Sequence, residues 1–155
     1  MFNRGQKVSR LLSKYEGKQV IIAIDELLSP VFEKKPKKLR LAERHFCLIK
    51  IMENEVNNGG FNSFYFNESG NYAPEIYDAL EAIGSKEFKS ILFESMQAFR
   101  GIIPKDQLTR QRYMEDYNDE CTAIWEPLNE SFYKYEEDIH SLLVDYVREH
   151  ILEFR

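Results

Sequence analysis

At 155 residues, with 43% hydrophobic and 14% aromatic content, the chain is long enough to bury a sizeable core as one domain over residues 1–155, and it is neither a disordered tail nor a small stapled scaffold. Its two cysteines, Cys47 and Cys121, stand far apart with no CxxC, which argues against a disulfide framework or a zinc ribbon and fits a reducing compartment. The net charge of -5 is unevenly spread: 12 Lys/Arg against 5 Asp/Glu over residues 1–50, 6 against 9 over 51–112, and 3 against 12 over 113–155.

The first residues lack the apolar stretch of a signal peptide. The most apolar run, Val20 to Ile24, is cut by Asp25 and Glu26, far short of the roughly 20 residues a membrane span needs. The expectation is a cytoplasmic protein with no membrane contact.

Val8, Leu11, Leu12 and Tyr15 recur at helical spacing and predict a first short helix, broken at Gly17. The run that follows begins with five apolar residues and reads equally well as a buried strand. Ile24, Leu27, Leu28 and Val31 continue it at helical spacing without a turn, so a helix is preferred, with Pro30 ending or kinking it. Residues 33–40 form a basic linker around Pro36, carrying Lys34, Lys35, Lys37, Lys38 and Arg40. A long helix then runs from about Leu39 to Asn57 with Leu41, His45, Leu48, Ile49, Met52 and Val56 as its buried stripe.

Pro74 falls in the first turn of another helix, lined by Ile76, Tyr77, Leu80 and Ile83. Gly84 is placed to stop it and Ser85 to cap the next, which carries Phe88, Ile91, Leu92, Met96 and Phe99. Met114, Tyr117, Cys121, Ile124, Trp125 and Leu128 make one further stripe, and Ile139, Leu142, Leu143, Tyr146 and Val147 another, with Pro127 kinking or separating the helices. The sum is an all-α fold, a bundle of about six to eight helices with little or no sheet.

The most distinctive stretch is Glu55 to Asn67, EVNNGGFNSFYFN. Asn57, Asn58, Gly59 and Gly60 tolerate the positive φ at which a helix stops. Phe61, Phe64 and Tyr65, at i, i+3 and i+4, then turn one aromatic face to the core. A phosphate loop would need a preceding strand and a lysine opening the helix, and neither is present. A catalytic reading would rest on Glu53, Glu55, Asn57 and Asn58, but Glu53 and Glu55 are two residues apart and point away from each other on a helix.

The three histidines, His45, His140 and His150, show no metal-ligand spacing, and no GxSxG or Glu-x-x-His occurs. No catalytic residue, metal or cofactor is assigned. Tyr72, Tyr113 and Tyr133 fall off the apolar stripes and are candidates for an interface edge.

EVNNGGFNSFYFN, followed by SGNYAPEIYDALEAIG, resembles the signature of a bacterial all-α family, mostly catalogued as a domain of unknown function and known as the family of a double-stranded-DNA mimic protein. The resemblance covers about residues 40–150 and is sharpest over 55–84. It implies a non-enzymatic protein whose carboxylates stand where DNA has phosphates, and whose partner is a DNA-binding transcription regulator. Glu55, Asn57, Asn58, Gly59, Gly60, Phe61, Asn67 and Gly70 belong to this signature and read as its structural turn.

The acidic last third has the means for such mimicry. Glu115 with Asp119, Asp116 with Glu120, and Glu126 with Glu130 are spaced i, i+4, as helical neighbours are. Glu136, Glu137, Asp138, Asp145 and Glu149 decorate the last helix away from its apolar face. The plainer reading of the same residues is a solvated, solubilising face. Direct binding of nucleic acid by the basic linker is disfavoured, and a homodimer is compatible with the sequence. The alternatives are an interaction or immunity-type module without DNA mimicry, and an enzyme with a site near Glu55.

Overall fold

The computed structural model describes all 155 residues as eight α-helices with short 3-10 turns and no strand. The chain folds into two compact units, residues 1–50 with 138–155, and residues 51–137.

The first unit holds α1 (Arg4–Lys14), α2 (Gly17–Lys34), the first part of α3 (Leu41–Phe66), and α8 (Ile139–Glu149) with a 3-10 turn after it. Asn3 and Gln6 close a reciprocal capping box at the start of α1, each side chain accepting from the other's backbone N–H at 2.9 Å. The apolar run Val20–Ile24 is helical, so the strand alternative falls. Its side chains Val20, Ile21 and Ile24 are buried while Ile22 points to solvent, which is the helical period and not the alternation of two. Pro30 does not end α2, which continues to Lys34; the proline is exposed, where a missing N–H costs least.

Glu43, on α3, is fully buried in this unit. It accepts a two-pronged pair from Arg4 at 2.7 and 3.0 Å and the backbone N–H groups of Arg40 and Arg155 at 2.8 and 3.0 Å. Leu41, expected on the buried stripe of α3, is exposed because it is the helix's first residue and lies beyond the packed face.

The second unit contains the rest of α3, then α4 (Ala73–Ile83), α5 (Lys86–Met96), α6 (Gln107–Asp116) and α7 (Asn118–Lys134). Its centre is aromatic. Tyr65 stacks on Trp125 with ring centroids 5.1 Å apart and meets Phe64 and Phe99 edge-on at 4.9 and 5.0 Å. The polar ends of these rings are satisfied at one residue, Ser95: its hydroxyl pairs with the Tyr65 hydroxyl at 2.6 Å and its carbonyl accepts from the Trp125 indole at 2.9 Å.

Pro127 lies within α7 and separates nothing. The break falls instead at Tyr117, whose φ of -118° and ψ of 36° part α6 from α7. Gly84 stops α4 in the left-handed conformation, as its position predicts. Ser85 occupies the N-cap position of α5, but the capping is done by Glu137, whose carboxylate accepts from the Ser85 hydroxyl and from the N–H groups of Lys86 and Glu87 at 3.0 and 3.3 Å.

Candidate protein-binding site

The Asn-Asn-Gly-Gly stretch breaks α3 where its residues predict a helix end, into two helical segments that meet at a kink. α3 keeps helical geometry through Asn57 and Asn58, breaks at Gly59 and Gly60, and resumes at Phe61. Gly60 has φ 68° and ψ -170°, a conformation essentially closed to any residue with a side chain. The kink is held from α7 and its C-terminus. Asn129 accepts from the Phe61 N–H at 2.9 Å, and the Tyr133 hydroxyl donates to the Val56 carbonyl at 2.9 Å.

Asn57 donates to the Tyr135 hydroxyl at 2.8 Å, and that hydroxyl donates to the buried Glu53 carboxylate at 3.0 Å. Burial, with the Glu53 charge beside it, holds the Tyr135 hydroxyl well above the usual tyrosine value. Glu55 accepts from the Asn67 amide at 3.1 Å. Glu53 and Glu55 thus belong to two separate hydrogen-bonded groups.

Gly70 is packed beneath the guanidinium of Arg110, which an added Cβ would approach to 2.7 Å. Arg110 is fully buried and meets no carboxylate oxygen in hydrogen-bond range. It donates to the carbonyls of Tyr65, Asn67 and Pro104, at 2.8 Å to Asn67 and 3.0 Å to Pro104, and to the Asn71 side chain at 2.9 Å. One side chain therefore ties the segment after α3 to the loop before α6. Nothing in the local sequence marks Arg110 for this, because the carbonyls it binds are brought to it by the fold.

The acidic residues divide between the units. In the second unit Glu115, Asp116, Asp119, Glu120, Glu126, Glu130 and Glu136 are all exposed, whereas Glu137 is half-buried as the cap of α5. In the first unit Asp138 caps α8 through the Ser141 N–H at 3.0 Å, and Asp145 and Glu149 are exposed on that helix. The pairs Glu115/Asp119 and Asp116/Glu120 straddle the break at Tyr117, so neither lies on one continuous helix. Asp119, Glu126 and Glu130 do share α7, spaced seven and four residues apart, which is about 10 and 6 Å of helix rise. No ion pair involves any of these seven exposed carboxylates of the second unit.

Residues 51–137 hold 7 Lys/Arg against 17 Asp/Glu, a balance of -10, while the first unit holds 14 against 9, a balance of +5. The five cations of the basic linker are exposed, around a 3-10 turn at Pro36–Lys38.

His45 is half-buried and its Nδ1 lies 2.8 Å from the Tyr146 hydroxyl; His150 Nδ1 lies 2.9 Å from the Tyr146 carbonyl. No group of three or more His, Cys, Asp or Glu is placed to hold a metal ion, and no helix is long and apolar enough to cross a membrane. Of the three tyrosines off the stripes, Tyr133 is exposed and Tyr72 and Tyr113 are half-buried.

A cleft at the end of α3 was not anticipated from the sequence. It lies beside Phe66, Asn62 and Asn118. The signal was Phe66 itself, an exposed ring on the side of the helix opposite Phe61, Phe64 and Tyr65.

A family model described as DMP19-like protein matches residues 37–150. Comparison with curated proteins and with solved structures gives no match.

Proposed function

Since the chain belongs to the DMP19-like family, we propose that it is a protein-binding DNA mimic, which occupies the nucleic-acid surface of a DNA-binding regulator with the carboxylates of α6 and α7. The observation that carries the reading is the charge of residues 51–137: a balance of -10, with exposed carboxylates on α6 and α7 that form no ion pair. Unpaired surface carboxylates repel one another and add little to stability. Their Coulomb energy is recovered when a cationic surface arrives.

A protein that binds duplex DNA meets about one negative charge per 1.7 Å of axis and gains by displacing counterions. Asp119, Glu126 and Glu130 offer a sparser row, so the contact is expected to be weaker than DNA at low salt and to collapse as salt shortens the screening length from about 30 Å at 0.01 M to about 8 Å at 0.15 M. The aromatic and Asn-Asn-Gly-Gly residues have a different task in this reading. They hold α7 against the kink of α3 through Asn129 and Tyr133, and so keep the acidic helix in place.

The test is a pull-down from nuclease-treated lysate at low and high salt. The baits are the wild type and a variant carrying Asp119→Asn, Glu126→Gln and Glu130→Gln. The expected result is a DNA-binding protein retained by the wild type alone, at low salt alone, and released by added duplex DNA. Identical retained proteins on both baits would refute the proposal.

A further inference from the structure

Within the second unit, the end of α3 and the junction of α6 with α7 enclose an open cleft of about 230 Å³. Its floor is the buried Met114. One wall is the ring of Phe66, 44% exposed, and the rim carries Asn62, Asn67, Glu115 and Asn118. We propose that this cleft receives a single arginine side chain of the protein partner, with the Phe66 ring against the guanidinium plane and Glu115 as its counter-charge. The inference rests on the reading of the protein as a mimic of DNA and names the group on the partner that it captures.

Three features of the cleft select that occupant. The volume falls below the roughly 300–1,000 Å³ of small-molecule sites and suits one side chain. The rim is rich in acceptors and has no cation. Asn62, Glu115 and Asn118 have no partner within the chain, and Asn67, whose amide nitrogen donates to Glu55, keeps its side-chain oxygen as an acceptor. The exposed phenyl ring supplies a flat face, which a planar guanidinium with five donors uses better than a compact ammonium.

The site is also pre-formed. The Phe66 carbonyl accepts from Gln111 and Gln107 at 2.7 and 3.2 Å, and Arg110 holds the Asn67 carbonyl at 2.8 Å, so the walls do not have to be ordered on binding. Proteins that read DNA use arginine for phosphate and for guanine alike, so a mimic gains a fixed point from one well-made arginine receptor within a diffuse acidic face.

The experiment titrates the full chain with blocked hexa-arginine, hexa-lysine and hexa-citrulline peptides at low salt, followed by NMR. The signals to watch are the side-chain amides of Asn62 and Asn118 and the ring of Phe66. Hexa-arginine is expected to shift these three saturably, hexa-lysine to bind several-fold more weakly, and hexa-citrulline not to bind. Glu115→Gln should weaken hexa-arginine by about tenfold, as loss of a charge-assisted contact does, and Phe66→Leu by about threefold. Asn118→Asp, which adds a carboxylate to the rim, should tighten it.

Shifts confined to α7, or equal binding by wild type, Glu115→Gln and Phe66→Leu, would overturn the proposal. The two ideas fail separately. The lysate test varies only Asp119, Glu126 and Glu130, so a failed titration beside capture that this variant loses removes the arginine site alone, and identical capture by both baits removes the mimic.

Discussion

Replacing Gly60 with alanine tests the kink that organises the second unit. At φ 68° and ψ -170° the backbone sits where only glycine is at ease, and forcing alanine there costs about 2–3 kcal/mol. The new Cβ would stand 2.5 Å from Asn129 Nδ2 and 2.9 Å from its Cγ. Asn129 must then withdraw, and the Phe61 N–H loses its acceptor, for about another 1–2 kcal/mol. The reduced freedom of the unfolded chain offsets about 0.4–1 kcal/mol. The net expectation is a loss of about 3 kcal/mol, or roughly 6–12 °C in Tm for a chain of this size. Urea unfolding followed by far-UV circular dichroism, with calorimetry, measures it.

Two companions separate the contributions. Gly84→Ala, also at positive φ but in open space, should cost only about 1 kcal/mol. On an Asn129→Ala background, Gly60→Ala should cost less than alone, because the collision and the hydrogen bond are already gone. A loss below about 1 kcal/mol for Gly60→Ala alone would refute the account of the kink.

Arg110→Ala should destabilise by about 3–5 kcal/mol, since it strands several buried carbonyls at once, and Arg110→Lys should recover little, because one ammonium cannot span acceptors that a fork reaches; thermal melts of both decide it. Burial pushes the Cys47 thiol up to about 12 and raises that of Cys121, so neither should react with iodoacetamide at neutral pH until the protein is unfolded, which mass spectrometry of alkylated protein would show. Burial likewise lifts the Tyr146 hydroxyl up to about 12 and raises those of Tyr65 and Tyr135. The folded chain holds these protons more tightly than the unfolded one, so their contribution is whole below the unfolded tyrosine value of about 10 and is lost as pH rises past it. Urea midpoints should therefore be level near neutrality and fall from about pH 9–10 upward, the thiol beginning the decline.

Helix positions were largely legible because each helix buries one face, and a buried face repeats every three or four residues in the chain. Val8, Leu48, Ile49, Met52 and Val56 on α3, Ile76, Leu80 and Ile83 on α4, and the Phe61–Phe64–Tyr65 triplet all lie inside as their spacing requires. The acidity of the last third was legible too, since charge is additive and needs no fold to be counted.

What spacing does not contain is who meets whom. Asn57, Asn58, Gly59 and Gly60 mark where helical geometry stops, but not how the chain resumes beyond it. Asn129 and Tyr133, about seventy residues on, decide for the kink by satisfying the backbone groups beside it. Glu137 lies in the acidic run and yet caps α5, because its carboxylate arrives where three donors point. Pro127 reads in the sequence as kinking or separating helices, but it faces solvent inside α7, and the separation falls at Tyr117.

The sequence alone determined the helical class and the charge, because those are sums and periods along one chain. The tertiary structure alone decided that Arg110 is a buried clasp, that α7 carries an unpaired carboxylate row, and that Phe66 and Glu115 share a cleft. Each of these depends on groups distant in sequence that come within a few ångströms only when the core closes.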